Sequence, residues 1–363
     1  MASLNGFLFS SFWWLCKHIN MNWSSALMQA ALRDKTFPAK THFDSVLKTS
    51  VWNRVFDNPI GISAGVDNTG NFLDELIKIG FGFGEFGSLT LNPCSPERRV
   101  VYFTRKKSIV NQTVGYSNKG LVAVLPKLIN RRSNSNFVGI NIAPLPDTQM
   151  SEFGNVLSSY DADFVQAAQK CAPYCDYFVM NLTDTSCNLC KLISDESTIL
   201  PLLIKVKEAL TQAALQNPPK LVVKVPLTLT PLEIPLVADI LMRAGIDGVI
   251  IGGGLAVDKN TALVSIQQRG VLCGSLIRDK NTEMIRQFYQ QTRGQLPIIA
   301  CGGVFSGQDA FDKIAAGASL VQVYSALFYR GPMAGSQISN ELARILKSRG
   351  FASVNEAIGC EYI

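Results

Sequence analysis

The chain has 363 residues, 47% of them hydrophobic and 17% charged, with a formal net charge of +6. That length and apolar content supply a sizeable core, so the nine cysteines do not read as the disulfide framework of a small secreted scaffold. The cations are scattered, with Arg105-Lys106-Lys107 and Arg131-Arg132 the densest runs, which argues against a nucleic-acid docking stripe and suits a weak attraction to anionic lipid.

The first 33 residues contain no Asp or Glu. Residues 6–16 form an apolar and aromatic run with Phe7, Phe9, Phe12, Trp13 and Trp14. This run falls short of the roughly 20 residues that a bilayer-spanning helix needs. In residues 21–33, Trp23, Leu27, Met28, Ala31 and Leu32 fall near helical spacing. Three readings are open: helices lying in a membrane interface, helices packed on the protein's own outer surface, or part of a transit peptide. No secretory signal pattern is read at the start. The expected division is an N-terminal helical segment over 1–40 and a second unit over 41–363.

From residue 59 onward, short apolar runs at 59–64, 83–87, 138–142, 177–181, 221–225, 248–251, 298–300 and 320–323 read as eight strands. Amphipathic stretches at 72–79, 164–171, 201–214, 232–244, 281–292 and 310–315 alternate with them. Alternating strands and helices imply parallel pairing, and eight such units predict an α/β fold, a closed (β/α)8 TIM barrel. Chemistry in such a barrel sits just after each strand.

The residues following the runs are informative. They are Ser63-Ala64-Gly65-Val66-Asp67-Asn68, Gly87-Ser88-Leu89-Thr90, Asn141, Asn181, Lys224, Gly252-Gly253-Gly254, Gly302-Gly303 and Tyr324-Ser325. A single Asn reads as a turn or cap. Two Asn and a Lys recurring at strand ends argue instead for a polar group held in the barrel mouth. Lys224 ends an apolar strand and must find a partner or stay exposed; a cation there suits the negative charge of a reduced flavin. Gly302-Gly303 stands where these barrels cradle phosphate, although a glycine pair also simply makes a tight turn.

Longer motifs carry a resemblance. They are Ser306-Gly307-Gln308-Asp309-Ala310, Lys313-Ile314 and the run from Ala316 to Ser325. Asn58-Pro59-Ile60-Gly61, Gly80-Phe81-Gly82-Phe83 and Glu356-Ala357-Ile358-Gly359 join them. Over about residues 20–360 the chain resembles the quinone-linked (class 2) dihydroorotate dehydrogenase family. The resemblance implies an FMN-binding barrel that oxidises dihydroorotate to orotate in pyrimidine synthesis and passes electrons to ubiquinone. It also implies that residues 6–33 form helices docked peripherally on the mitochondrial inner membrane. By the same resemblance Ala64, Gly65, Ser88, Asn141, Asn181, Lys224, Gly274, Gly303, Tyr324 and Ser325 fall on flavin positions, and Asn111 and Asn181 on substrate positions.

The chain departs from the family at the substrate. The family loop after the fourth strand reads Asn, a small apolar residue, Ser-Ser-Pro-Asn-Thr, with the second Ser as catalytic base. Here it reads Asn181-Leu182-Thr183-Asp184-Thr185-Ser186-Cys187, which sets Asp184 at the base position and Ser186 in place of an Asn. Asn68 replaces a Lys, Gly252-Gly253-Gly254 replaces Thr-Asn-Thr, and Asn111-Gln112 only loosely matches an Asn-Arg. Dihydroorotate is an anion. Each close unit charge is worth up to about 4 kcal/mol at an effective dielectric of about 20, and each lost amide roughly 1 kcal/mol. The expectation is a pseudoenzyme, retained as an FMN-binding or structural subunit, with other subunits of an inner-membrane complex as candidate partners. The alternatives are an active dehydrogenase using Asp184 as base, and a flavoenzyme with a different substrate. No metal site is expected. Cys171 and Cys175 precede a strand whose far end leads to Cys187 and Cys190, roughly 16 Å away, too far for one zinc. Cys187 and Cys190 are read as free thiols in preference to the alternative of a dithiol–disulfide pair.

Overall fold

The computed structural model describes residues 42–94, 101–104, 108–112, 116, 118–131, 136–145, 156–184, 187–256 and 271–362. The N-terminal segment and its expected interface helices at 6–33 lie outside the described residues. The chain enters through a hairpin of β1 (Thr49–Val51) and β2 (Arg54–Phe56). It then runs through β3 (Ile60–Asp67), α1 (Leu73–Lys78), β4 (Phe83–Leu89), β5 (Val101–Thr104), β6 (Ile109–Gln112) and α2 (Leu121–Asn130). Next come β7 (Val138–Ile142), α3 (Val156–Cys171), β8 (Tyr177–Asn181), α4 (Asn188–Lys191), α5 (Glu196–Ala213), β9 (Lys220–Pro226) and α6 (Glu233–Arg243). The last third holds β10 (Gly248–Gly252), β11 (Leu255–Ala256), β12 (Val271–Gly274), α7 (Arg278–Thr292), β13 (Ile298–Cys301), α8 (Gly307–Ala315) and β14 (Leu320–Val323). The helices α9 (Ser325–Arg330), α10 (Ala334–Ser348) and α11 (Val354–Ala357) follow.

The eight apolar runs become the eight strands of a closed parallel barrel, in the order β10-β13-β14-β3-β4-β7-β8-β9. Every residue of β7, β8, β10 and β14 is buried, as a strand covered on both faces requires. The helix centres match the expected stretches, but four begin earlier, α7 at Arg278 rather than 281, α8 at Gly307 rather than 310, and α3 and α5 by more. α3 starts at Val156 rather than 164. α5 starts at Glu196 rather than 201, because the Asp195 carboxylate accepts from the Ser197 N–H at 3.1 Å and caps it; Pro201 then lies inside the helix. A four-stranded antiparallel sheet, β11-β12-β6-β5, is built from the excursions that follow β4 and β10, so it stands at the C-terminal end of the barrel.

The opposite end is closed by rings. The β1–β2 hairpin places Trp52 and Phe56 against Phe83, Phe137 and Tyr177. Phe137 stacks on Tyr177 with centroids 5.5 Å apart, and Phe56 meets Phe137 edge-on at 5.0 Å. Trp52 Nε1 donates to the Asp247 carbonyl at 2.7 Å. The rings fit because Gly61 and Gly139 lack side chains: a Cβ there would lie 2.4 Å from the Phe83 ring and 2.3 Å from the Tyr177 ring.

A buried lysine ties α7 and α8 to the barrel. Lys313 Nζ donates to Asn281 Oδ1 at 2.7 Å, Thr282 Oγ1 at 3.1 Å and the Arg278 carbonyl at 3.3 Å. Asn281 Nδ2 in turn donates to the carbonyls of Ile251 at 2.9 Å and Cys301 at 3.3 Å. The network links α7 and α8 to β10 and β13. Burial pushes the Lys313 ammonium down to about 7, against the opposing pull of Asp309.

Phe83→Ala should lower the unfolding free energy in urea by about 3–5 kcal/mol, since it empties the centre of the ring cluster. Lys313 gives a pH signature. From about pH 7 to pH 10 the unfolded chain keeps a proton that the folded chain has released, so this group makes stability rise with pH. Measured across that window, Lys313→Met should flatten the rise by up to about 1.4 kcal/mol per pH unit relative to the unsubstituted protein.

Candidate active site at the barrel mouth

A carboxylate lies inside the barrel. Glu85 on β4 is 0% exposed. Its Oε1 accepts from Asn141 Nδ2 at 2.9 Å, and its Oε2 accepts from the Tyr177 hydroxyl at 3.4 Å and from Gln322 Nε2. Lys224 on β9, 5% exposed, is the cation of this interior. Burial pulls its pKa down, but the Cys301 sulfur, the Glu85 carboxylate and Cys273 outweigh burial and hold it above its ordinary value. Lys224 is therefore an ammonium in the pocket. Cys301 also lies 3.2 Å from Ser63 Oγ, and Gln322 Oε1 is a buried acceptor without a hydrogen-bond partner.

Toward the rim, Asn141 hands this order on to Asn181. Asn181 Nδ2 faces Ser88 Oγ at 3.0 Å, Asn141 Oδ1 at 3.2 Å and the Tyr116 hydroxyl at 3.3 Å. Its Oδ1 accepts from the Thr183 hydroxyl at 2.7 Å and the Thr183 N–H at 3.2 Å. These bonds fix the loop after β8, and the next residue is Asp184, 6% exposed. Burial, then the Asp184 carboxylate, push the Tyr116 phenol well up. The Asp184 carbonyl accepts the Cys187 N–H at 3.2 Å, where α4 begins.

The glycines of the mouth serve two ends. Gly274 precedes the short 3-10 turn that leads into α7, and a Cβ on Gly303 would lie 2.4 Å from Arg278 Cα. Gly274 and Gly303 therefore converge on the N-terminus of α7, a natural place for an anion. Gly65 faces Tyr324, whose ring would meet a Cβ at 3.0 Å. Tyr324 packs edge-on against Phe328 at 5.3 Å. Ala64 lies buried within β3, and Ser325 lies buried where α9 begins.

The second end concerns Gly252-Gly253-Gly254. A Cβ on Gly252 would lie 2.7 Å from the Cys301 carbonyl oxygen, and one on Gly254 would lie 2.0 Å from Val271 Cγ1. Gly253 has φ +101° and faces Thr183, with a Cβ at 3.1 Å from its Cβ. A side chain at Gly252 or Gly254 would crowd β13 or β12, and one at Gly253 would press on Thr183.

Other expected residues fall elsewhere. Asn111 lies on β6, opposite Leu272 and Tyr102 in the sheet above the mouth. Ser186 lies outside the described residues. Asp67 serves structure: its carboxylate accepts the N–H groups of Gly70 at 2.8 Å, Phe72 at 2.9 Å and Leu73 at 3.0 Å, which opens α1. Among the described residues no cluster of His, Cys, Asp or Glu has the makings of a metal site. Sequence reasoning missed Glu85, Gln322, Tyr177 and Cys301 as members of the interior. The available signal was a lone acid inside β4, a strand otherwise free of charge.

A family model described as dihydroorotate dehydrogenase matches residues 46–346. The mitochondrial dihydroorotate dehydrogenase (quinone) of Mus musculus is 36% identical over 334 residues, which cover 90% of this chain and 82% of the relative. The dihydroorotate dehydrogenase (quinone) of Rhodospirillum rubrum is 32% identical, covering 88% and 85%. A crystal structure of the Eimeria tenella enzyme with ferulenol superposes with a TM-score of 0.84 at 25% identity, covering 94% of this chain and 95% of that one. With the barrel, the ordered strand ends and these matches together, the chain belongs to the dihydroorotate dehydrogenase family.

Proposed function

We propose that the chain is an FMN-binding member of the family that does not oxidise dihydroorotate, carried by a barrel over 41–363. Its N-terminal segment, 1–40, holds it peripherally at the mitochondrial inner membrane through residues 6–33, with a quinone as the electron acceptor in reach. Other subunits of an inner-membrane complex are the partners that such a protein would serve. The quinone relatives and the aromatic, acid-free N-terminus support that placement.

The donor set fits FMN. Lys224, Asn141, Asn181 and Ser88 offer an ammonium, two amides and a hydroxyl, which suit the polar edge of the flavin ring. Ala64, Gly65 and Tyr324 would line the ring, and Gly274, Gly303 and Ser325 would hold the phosphate. Bound there, FMN supplies two-electron redox chemistry. Lys224 contributes positive charge beside the ring, and Glu85 keeps Lys224 charged and Asn141 in place.

The observation that carries the loss of dihydroorotate chemistry is the buried Asp184 carboxylate at the position of the family's base. It adds negative charge in a mouth meant for an anionic substrate, and Asn68 no longer supplies a balancing cation. The glycines at 252–254 offer no side-chain amide to help to hold that substrate. An anion entering this mouth meets repulsion and lost partners together.

The purified protein should show flavin absorbance near roughly 450 nm, and the band should persist on anaerobic addition of dihydroorotate. Bleaching would overturn the loss of activity; a colourless protein would overturn FMN binding. Lys224→Ala should reduce flavin content several-fold. Asp184→Ser alone should leave the band unbleached, because the substrate amide at 252–254 is still missing.

A further inference from the structure

The first turn of α7 is held from behind by a cation. Lys313 lies in the last turn of α8 and is fully buried. Its Nζ reaches the Arg278 carbonyl, Asn281 Oδ1 and Thr282 Oγ1. These acceptors stand three and four residues apart, so they share one face of α7. Thr282 Oγ1 also donates to the Arg278 carbonyl at 3.0 Å. On the other side of the turn is the loop after β13. A Cβ on Gly302 would lie 2.7 Å from Ile277 Cδ1, and one on Gly303 would lie 2.4 Å from Arg278 Cα. Asn281 also bonds the Cys301 carbonyl that leads into these two glycines. We propose that Lys313 is a positioning residue for the phosphate of FMN, seating the first turn of α7 against Gly302-Gly303 and adding positive charge behind it. The inference rests on the FMN-binding reading of the mouth.

The charge at this turn lacks a counterpart. All three acceptors of Lys313 are neutral oxygens. The carboxylates of Asp279 and Asp309 bond Arg278 instead, at 2.9 and 3.4 Å. A buried ammonium without a carboxylate partner carries an unrelieved desolvation cost. Its place in the last turn of α8 suits that helix, but a cation at the N-terminal turn of α7 opposes the dipole there. An anion seated ahead of α7 relieves both. Burial pushes the Lys313 ammonium down to about 7, joined by the Arg278 charge and opposed by Asp309, Cys301 and Asp312. Asp279, on the first turn of α7, also feels the Lys313 charge.

A phosphate dianion at this turn favours the charged form of Lys313, so the proton and the phosphate bind together. From about pH 7 to about pH 9 the flavin-free chain has shed the Lys313 proton and the loaded chain keeps it. FMN affinity therefore falls as pH rises, by at most about tenfold per unit. The second ionisation of the phosphate itself, at about 6, lies below this window. Riboflavin has the same ring without the phosphate and brings no such proton. The ratio of the two affinities thus separates the phosphate end from the ring and from Lys224.

The test titrates the purified full chain, freed of flavin, with FMN and separately with riboflavin, and reads the quenching of flavin fluorescence from about pH 7 to about pH 9. FMN should bind more tightly than riboflavin near the lower limit, and the ratio should fall as pH rises. Lys313→Met should lower the ratio about tenfold at that limit and abolish its pH dependence. Thr282→Val takes one acceptor from Lys313 while keeping the side-chain shape, and should lower the ratio in the same direction. Lys224→Ala should weaken both flavins alike and leave the ratio standing. Should Lys313→Met not fold, the pH profile of the unsubstituted chain and Thr282→Val decide the matter. A ratio constant with pH in the unsubstituted chain, or a common loss of both flavins in Lys313→Met, would overturn the role of Lys313 and leave FMN binding intact. Binding of neither flavin by the unsubstituted chain would overturn the FMN reading, and this inference with it.

Discussion

One sealed carboxylate orders much of this site. A carboxyl group inside a barrel is tolerable only when its oxygens are hydrogen-bonded. Glu85 meets that demand with Asn141, Tyr177 and Gln322, and with the positive charge of Lys224. These partners come from four other strands, so the acid fixes the relative register of β4, β7, β8, β9 and β14 from within. Asn141, held on one side by Glu85, presents its oxygen to Asn181 on the other. Asn181 then sets Thr183, and through it the loop that carries Asp184. The chain of bonds runs from the core to the rim without a break.

This dependence explains which features were open to reading in the sequence. The eight strands were legible because burial on both faces writes them as uninterrupted apolar runs, such as Val222-Val223 and Ile298-Ile299. Helix starts were less so: Pro201 looks like a first-turn residue, and only the bond between Asp195 and Ser197 moves the start upstream. Among the small strands, β6 and β12 pair across more than 140 residues, and no local period announces that pairing. Glu85 was passed over because its partners are distant in sequence and its own neighbours are ordinary. For the glycine run, the sequence showed that side chains were missing but not that Cys301, Val271 and Thr183 would move into their place.

In the proposed reading, the flavin and substrate positions occupy different parts of the mouth. Those assigned to flavin, among them Ser88, Asn141, Asn181 and Lys224, lie on or at the tips of barrel strands. Those where substrate contacts are proposed to be lost, Asn68, Asp184 and the run at 252–254, lie at or beyond strand ends. A strand position is constrained by both its barrel neighbours and the helix behind it, whereas a loop position answers mainly to what enters the mouth. The cofactor positions and the substrate positions can therefore diverge separately in one molecule.

The aromatic plug gives that separation a longer reach. Trp52, Phe56, Phe83, Phe137 and Tyr177 concentrate ring packing at the end of the barrel farthest from the mouth. Stability anchored there is insulated from changes made among the loops. A lineage with such an anchor can change its rim while each intermediate sequence still folds, so a shift in what the mouth accepts need not be followed by the loss of the protein.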